Sequence, residues 1–246
     1  MSKLRVHNIE AQSGTNVDLG AAGDVVTLAS DSIQTNLYKD SGANTLFQSN
    51  GSGTLSNVNT GLKGAGPVLI STTTVSSAVS SIEFTGISNT YSLYQFIFLN
   101  VAPSTNDVYF QAAGNVGAGF GPNTNVTSAS YMSWKREDTW ASGYGLAYRA
   151  SESVATYSGH FDIAGSVGNQ SERSGSGIFW LYSPGSTTST KNWLCSFNSK
   201  QGDGTPYALL NQAQGYFGTA SAVTGMSFKF ASGNIASGKI KMYGIV

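Results

Sequence analysis

From Val68 to the end of the chain, apolar and polar side chains alternate in short runs broken by turn formers. A period of two places successive side chains on opposite faces of an extended strand. Met226-Ser227-Phe228-Lys229-Phe230 shows the pattern, and Ile240-Lys241-Met242-Tyr243 repeats it near the end. No stretch carries the 3.6-residue spacing of an amphipathic helix. A core must therefore be closed between sheets. Strands are predicted over Val68–Val75, Ser81–Thr85, Tyr91–Val101, Val108–Ala113, Tyr131–Arg136, Gly145–Glu152, Gly159–Ala164, Gly177–Tyr182, Lys191–Ser199, Tyr207–Tyr216, Met226–Ala231 and Gly238–Tyr243. Ser232–Gly238 reads as a turn, and Tyr91–Leu99 as a strand covered on both faces. So many short strands predict two packed antiparallel sheets, a sandwich of jelly-roll type.

The first sixty residues obey a different rule. Leucine recurs every nine residues, at Leu19, Leu28, Leu37, Leu46 and Leu55, each preceded by Asp, Thr or Asn. Gly14, Gly23, Gly42 and Gly51 stand four or five residues ahead of four of them, and Asp31-Ser32 takes that place in the third unit. Nine residues suit one short strand and one turn. One apolar residue per unit cannot offset the ordering entropy within a single chain. Three chains around a common axis can, because each leucine then meets its symmetry mates. The prediction is an all-β chain: a slender trimeric shaft over 16–60, a hinge at 61–67 (Gly61-Leu62-Lys63-Gly64-Ala65-Gly66-Pro67) and a β-sandwich head over 68–246.

Composition narrows the function classes. Charged residues are 11% of the chain, and 13 basic residues balance 13 acidic ones. The densest charge group, Lys135-Arg136-Glu137-Asp138, neutralises itself, so no basic cluster invites nucleic acid. No apolar run reaches membrane-spanning length, and Met1–His7 lacks a signal-peptide core, so synthesis in a cytosol is expected. Cys195 is the single cysteine, so packing or oligomerisation must hold the fold.

Catalytic signatures are weak. Gly233…Gly238-Lys239 resembles part of a phosphate-binding loop, but Ile240 stands where Ser or Thr should ligate magnesium and no helix follows. His7 and His160 have no partners at metal-ligand spacing. A Ser–His–Asp arrangement around His160 lacks a nucleophile-elbow motif. A glycosidase would need two carboxylates across a bond, from Glu83, Asp107, Glu137, Asp138, Glu152, Asp162, Glu172 and Asp203. The reading is a non-enzyme with no cofactor and no metal.

Binding fits better. Trp134, Trp140 and Tyr144, with Tyr131, surround a charged turn and are the candidate contacts for a surface glycan. The competing reading buries Trp134 and Tyr144 on a hairpin and exposes only Trp140. Trp180, Tyr182 and Trp193 fall in strand patterns and are expected in the core.

Leu4-Arg5-Val6-His7-Asn8-Ile9 ahead of a polar repeat, the Phe84…Tyr91…Tyr94…Phe96…Phe98 run, and the closing Ser232-Gly233-Asn234-Ile235…Gly238-x-Ile240-x-Met242-Tyr243-Gly244-Ile245 resemble the fibre and spike-like virion proteins of tailed phages. The resemblance implies a homotrimer in the virion. Residues 1–15, through Leu4, Val6 and Ile9, would anchor it to other particle proteins, and the head would be exposed to a host receptor. A capsid decoration protein clamping coat subunits is the alternative; a free adhesin lacks the export signal it would need.

Overall fold

The computed structural model describes residues 37–39, 44–49, 55–56, 58, 66–121, 125–170, 172–201 and 207–246. The proposed anchoring residues Leu4, Val6 and Ile9, the repeat leucines Leu19 and Leu28, and the carboxylate of Asp203 lie outside the described residues. The chain divides into two compact units, 1–62 and 63–246.

In the first unit, β1 (Leu37–Lys39), β2 (Thr45–Ser49) and β3 (Leu55–Ser56) form an antiparallel three-stranded sheet in chain order. Leu37, Leu46 and Leu55 each fall within one strand. Tyr38 pairs with Phe47 and Lys39 with Thr45, so Leu46 is the extra residue of a bulge. The Tyr38 and Phe47 rings stack at 4.3 Å. Leu37 is exposed and Leu46 half-buried.

The second unit is an antiparallel β-sandwich. Its strands are β4 (Val68–Val75), β5 (Ile82–Thr85), β6 (Leu93–Pro103), β7 (Val108–Asn115), β8 (Val126–Arg136), β9 (Tyr144–Tyr148), β10 (Phe161–Val167), β11 (Gly175–Tyr182), β12 (Lys191–Lys200), β13 (Tyr207–Phe217), β14 (Gly225–Phe230) and β15 (Ile235–Ile245). Eight strands make one sheet in the order β4-β15-β6-β11-β12-β13-β8-β9; four make the other, β10-β7-β14-β5.

Alternation decides what fills the space between them. Phe96, Phe98, Phe179, Trp193 and Phe197 point inward from the large sheet; Phe84, Phe110, Phe161, Phe228 and Phe230 meet them from the small one. Phe228 lies at the centre, with ring centroids 5.1 Å from Phe96 and 5.0 Å from Phe98. Glycine is required where these rings press on a neighbouring strand. A Cβ on Gly175 would lie 2.0 Å from the Phe197 ring. Lys191 is also buried, yet it is satisfied. Its Nζ donates to the carbonyls of Ser189, Thr219 and Ala220 at 2.8, 3.2 and 2.8 Å. Burial lowers its pKa from the ordinary lysine value.

Three sequence expectations are corrected. Trp180 and Tyr182 are not core: in β11 the inward positions are Phe179 and Leu181, so their neighbours face out, and of that aromatic group only Trp193 is buried. The predicted strand Gly145–Glu152 ends at Tyr148, and Ala150–Glu152 makes a short 3₁₀ turn that carries Glu152 back to Arg149. Ser232–Gly238 is not wholly a turn, because Ile235 begins β15, bridges to Val79 and fills the core. The first half of β8, Val126–Ser130, also escaped prediction, since Thr-Ser-Ala-Ser gives no apolar alternation to read.

Candidate functional site

Strand β9 sits at the edge of the large sheet and is amphipathic in an inverted sense. Tyr144, Leu146 and Tyr148 share its outward face, 67, 70 and 64% exposed; Gly145 and Ala147 occupy the opposite face. The cause is local: the Trp134 indole packs on Gly145, where a Cβ would approach its Cζ2 to 2.3 Å. Only small residues fit beneath that ring, so the large ones point to solvent. Across the ladder, Tyr131 pairs with Tyr148 and adds its own exposed ring.

The loop joining β8 to β9 is ordered by its own charges. Arg136 Nε and Nη2 donate to Asp138 Oδ1 and Oδ2 at 2.9 and 2.6 Å, which holds the Asp138 carboxyl below its ordinary pKa. Lys135 Nζ donates to the carbonyls of Trp140 and Ser142 at 3.0 and 2.8 Å, and lies 5.4 Å from the Tyr144 ring centroid. Thr139 Oγ1 donates to the Ser142 carbonyl at 2.7 Å. Glu137 pairs with Lys200 on β12 at 3.0 Å. With its backbone held this way, the loop presents Trp140 97% exposed. Exposed aromatic faces beside phenol hydroxyls suit the apolar faces and hydroxyl edges of sugar rings.

Of the predicted contacts, the Trp140 backbone carbonyl and the Tyr144 ring both meet Lys135, and both side chains are exposed. Trp134 does not join them. It lies on the opposite face of the sheet and, with Met132, Ala147, Arg149, Gln201, Tyr207 and Leu209, lines a cavity of about 290 Å³. The competing reading also fails in part, because Tyr144 is exposed rather than core. Leu146 and Tyr148 were missed. Their signal was present in Tyr144-Gly145-Leu146-Ala147-Tyr148, where every large residue shares one parity and every small one the other.

The outer face of the small sheet gathers titratable groups. His160 Nε2 lies 3.2 Å from Ser227 Oγ, reaching across β7 at the level of Ala113. Ser227 is 1% exposed, so its hydroxyl is closed to a substrate. Burial and the Lys229 charge lower the His160 pKa. Asp162 accepts a 2.8 Å bond from Gln111 Nε2, and burial raises its pKa. Glu152, 3% exposed, pairs with Arg149 at 2.6 Å; burial raises its pKa against that pairing, and the Asp162 charge raises it further. Asp162 therefore bonds to Gln111 rather than completing a triad with His160.

Among the described residues no three His, Cys, Asp or Glu side chains gather as metal ligands, and no helix is long and apolar enough to cross a membrane. Gly238 and Lys239 lie within β15, so the partial phosphate-loop match has strand where a helix should follow. Comparison with known proteins returned no matching family model, no matching curated protein and no matching solved structure.

Proposed function

We propose that this chain is a non-enzymatic structural protein of a phage particle, a homotrimeric tail fibre or spike whose head attaches to a glycan on the host cell surface. The observation that carries the reading is the outward row Tyr144, Leu146 and Tyr148, with Tyr131 beside it and Trp140 at the loop tip. Packing of Trp134 accounts for the small residues on the inner side of β9, but it does not require the outward positions to be Tyr, Leu and Tyr rather than polar side chains. The sheet order supports a jelly-roll architecture for the head. With the β12–β13 hairpin and the outer pair β4–β15 set aside, the order is β5-β14-β7-β10 facing β6-β11-β8-β9. The chain changes sheets at nearly every connection between them, as in a jelly roll. Trimerisation rests on the leucine period and on Leu37, which is exposed in the single chain. Anchoring through Leu4, Val6 and Ile9 rests on the resemblance.

A second reading, a decoration protein clamping coat subunits, has its own observation. The outward positions at the middle of the large sheet are Ile97 beside Ile178 and Trp180 beside Leu194, an apolar band that a coat surface could cover.

A glycan array probed with the full chain and with Trp140→Ala/Tyr144→Ser/Tyr148→Ser tests the first reading. Binding that falls at least tenfold in the variant, with solution mass unchanged by light scattering at three chains, supports it. Equal binding by the variant, or no glycan retained, overturns it. Saturable binding to purified empty capsids in the absence of glycan binding would favour the second reading.

A further inference from the structure

A second feature lies away from the aromatic row, where β6 departs from regular strand geometry. Asn100 has φ +49 inside β6. Around it the register of β6 shifts against both neighbours, between Gly175 and Gly177 on β11 and between Ser237 and Lys239 on β15. A bulge that disturbs both ladders opens the sheet locally and re-aims side chains, and such strained positions cluster at binding sites. The opening is a cavity of about 300 Å³ lined by Asn100, Asn169, Arg173, Ser174, Ala236 and Ser237. It continues into a second hollow of about 350 Å³, which shares Asn100 and Ser174 and adds Ser176, Asn198 and Lys200. The walls are amides, hydroxyls, small residues and Leu209, with the guanidinium of Arg173, the ammonium of Lys200 and the carboxylates of Glu172 and Glu137.

That guanidinium is short of acceptors. The Arg173 side chain is 11% exposed, and its nearest carboxylate, Glu172 Oε1, stands 3.6 Å from Nε, too far for a hydrogen bond. Among the described residues, Nε and Nη1 are buried without an acceptor. Buried donors of this kind are normally satisfied, and a planar guanidinium is matched best by a carboxylate. The residues leading to Arg173 are tied to other elements at Gly168 and Asn169, and a local bond turns the chain at Arg173. Gly168 N donates to the Lys200 carbonyl at 3.2 Å, Asn169 N to Asn106 Oδ1 at 3.2 Å, Asn169 Nδ2 to the Ser104 carbonyl at 3.1 Å, and Arg173 N to the Gln170 carbonyl at 2.8 Å. Asn100 is tied as well, its N–H donating to Ser176 Oγ at 3.0 Å. Glu172 beside Arg173 disfavours a doubly charged anion. Lys200 is already paired with Glu137.

From this geometry we infer that the trough at the β6 bulge binds an acidic sugar chain. Arg173 receives the carboxylate of one sugar, and Asn100, Asn169, Ser174 and Ser176 meet the hydroxyls of that sugar and its neighbour. This site is separate from the aromatic row and does not depend on it.

Titration calorimetry on the full chain tests it, with tetramers of galacturonate, glucuronate and N-acetylneuraminate, the methyl ester of the galacturonate tetramer, and acetate as probes. At least one acidic tetramer is expected to bind. The methyl ester, which removes the charge and keeps the hydroxyls, should bind at least tenfold more weakly, and acetate should give no measurable binding. Arg173→Gln should weaken the acidic tetramer at least tenfold. Ala236→Trp fills the trough from the opposite wall and should do the same, which covers the case in which Arg173→Gln shifts the thermal melt. Trp140→Ala should leave this binding unchanged. The inference is overturned if no acidic tetramer binds, if the ester binds as well as the acid, or if both Arg173→Gln and Ala236→Trp bind as the parent does. Acetate binding as tight as the tetramer would overturn the sugar assignment. Loss with Trp140→Ala would move the ligand to the aromatic row.

Discussion

On the eight-stranded sheet the outward side chains include Ile97, Ile178, Trp180 and Leu194 at the centre and Tyr144, Leu146 and Tyr148 at the β9 edge. On the four-stranded sheet they include Glu83, Tyr109, Gln111, Asp162, Ser227 and Lys229. The inward positions of both sheets are built around phenylalanines, although the large sheet also buries Ser128, Ser130, Ser199 and Asn211. The need for a core therefore does not account for the difference outside. The small sheet's outer groups are tied to one another, Gln111 to Asp162 and His160 to Ser227, beside the Arg149–Glu152 pair. The large sheet's outer face has ties of its own, Gln212 to Ser196 and Lys200 to Glu137, but between them it also offers apolar area. A surface whose groups satisfy each other needs no partner, whereas an untied apolar surface gains from one.

If the two sheets share one core, loss of its central ring should have the largest effect. Phe228 stands on the small sheet and touches Phe96, Phe98 and Phe179 of the large one at 5.1, 5.0 and 6.0 Å. Phe228→Ala should cost about 3–5 kcal/mol through the cavity it leaves. Urea unfolding followed by tryptophan fluorescence and by far-UV circular dichroism should shift together for the head. Separate transitions would mean that the sheets do not share one cooperative core.

The next effect contrasts a buried ion pair with the exposed row. Arg149→Met leaves the buried Glu152 carboxylate without its counter-charge and should cost about 2–3 kcal/mol, toward the low end for a broken buried pair because Arg149 keeps some solvent contact. Tyr144→Ser with Tyr148→Ser in the row should change stability by less than about 0.5 kcal/mol, since both rings are exposed. Denaturation midpoints of the two variants check the order. If the tyrosine pair proves more costly than the ion pair, the aromatic row is structural and the contrast between the faces fails.

How far the chain could be read from its sequence follows the same division. Strands whose inward positions are large, such as Phe228 and Phe230 in β14 or Ile240 and Met242 in β15, announce themselves by alternation. The start of β8 does not, because Ser128 and Ser130 are its inward residues and are buried as hydroxyls. Direction is legible only where a strand's two faces differ in size or polarity. Trp180 and Tyr182 alternate with Phe179 and Leu181, all large, so nothing in the string says which pair is inside. Trp134 and Tyr144 lie close in sequence and on opposite faces, because parity along a strand outranks proximity along a loop. The trough at Asn100 was hidden for another reason. It is assembled from β6, β11, β15 and the loop carrying Asn169 and Arg173, which only the strand order brings together.

The smallest effect concerns the charge balance of the small sheet's outer face. Asp162 is half-buried and its folded pKa is raised above the ordinary 3.8, chiefly by burial. Between 3.8 and that raised value the folded state holds more protons than the unfolded one, so this group adds stability as pH falls through the window and withdraws it as pH rises. His160 acts in the opposite sense. Its folded pKa is lowered below 6.5, so its contribution is lost as pH falls. Asp162→Asn separates them, because the His160 contribution cancels in the difference between variant and parent. The asparagine keeps Oδ1 as an acceptor for Gln111 Nε2 and removes the charge that faces Glu152. At pH 7 the variant should be the more stable of the two, because it no longer holds a half-buried carboxylate ionised. Near pH 3.5, where the parent's Asp162 is protonated, the two should melt together. A variant less stable than the parent at pH 7 would show that the ionised carboxylate strengthens the bond from Gln111 by more than burial costs it, and the small sheet's outer face would then be a charged network rather than a self-satisfied neutral one.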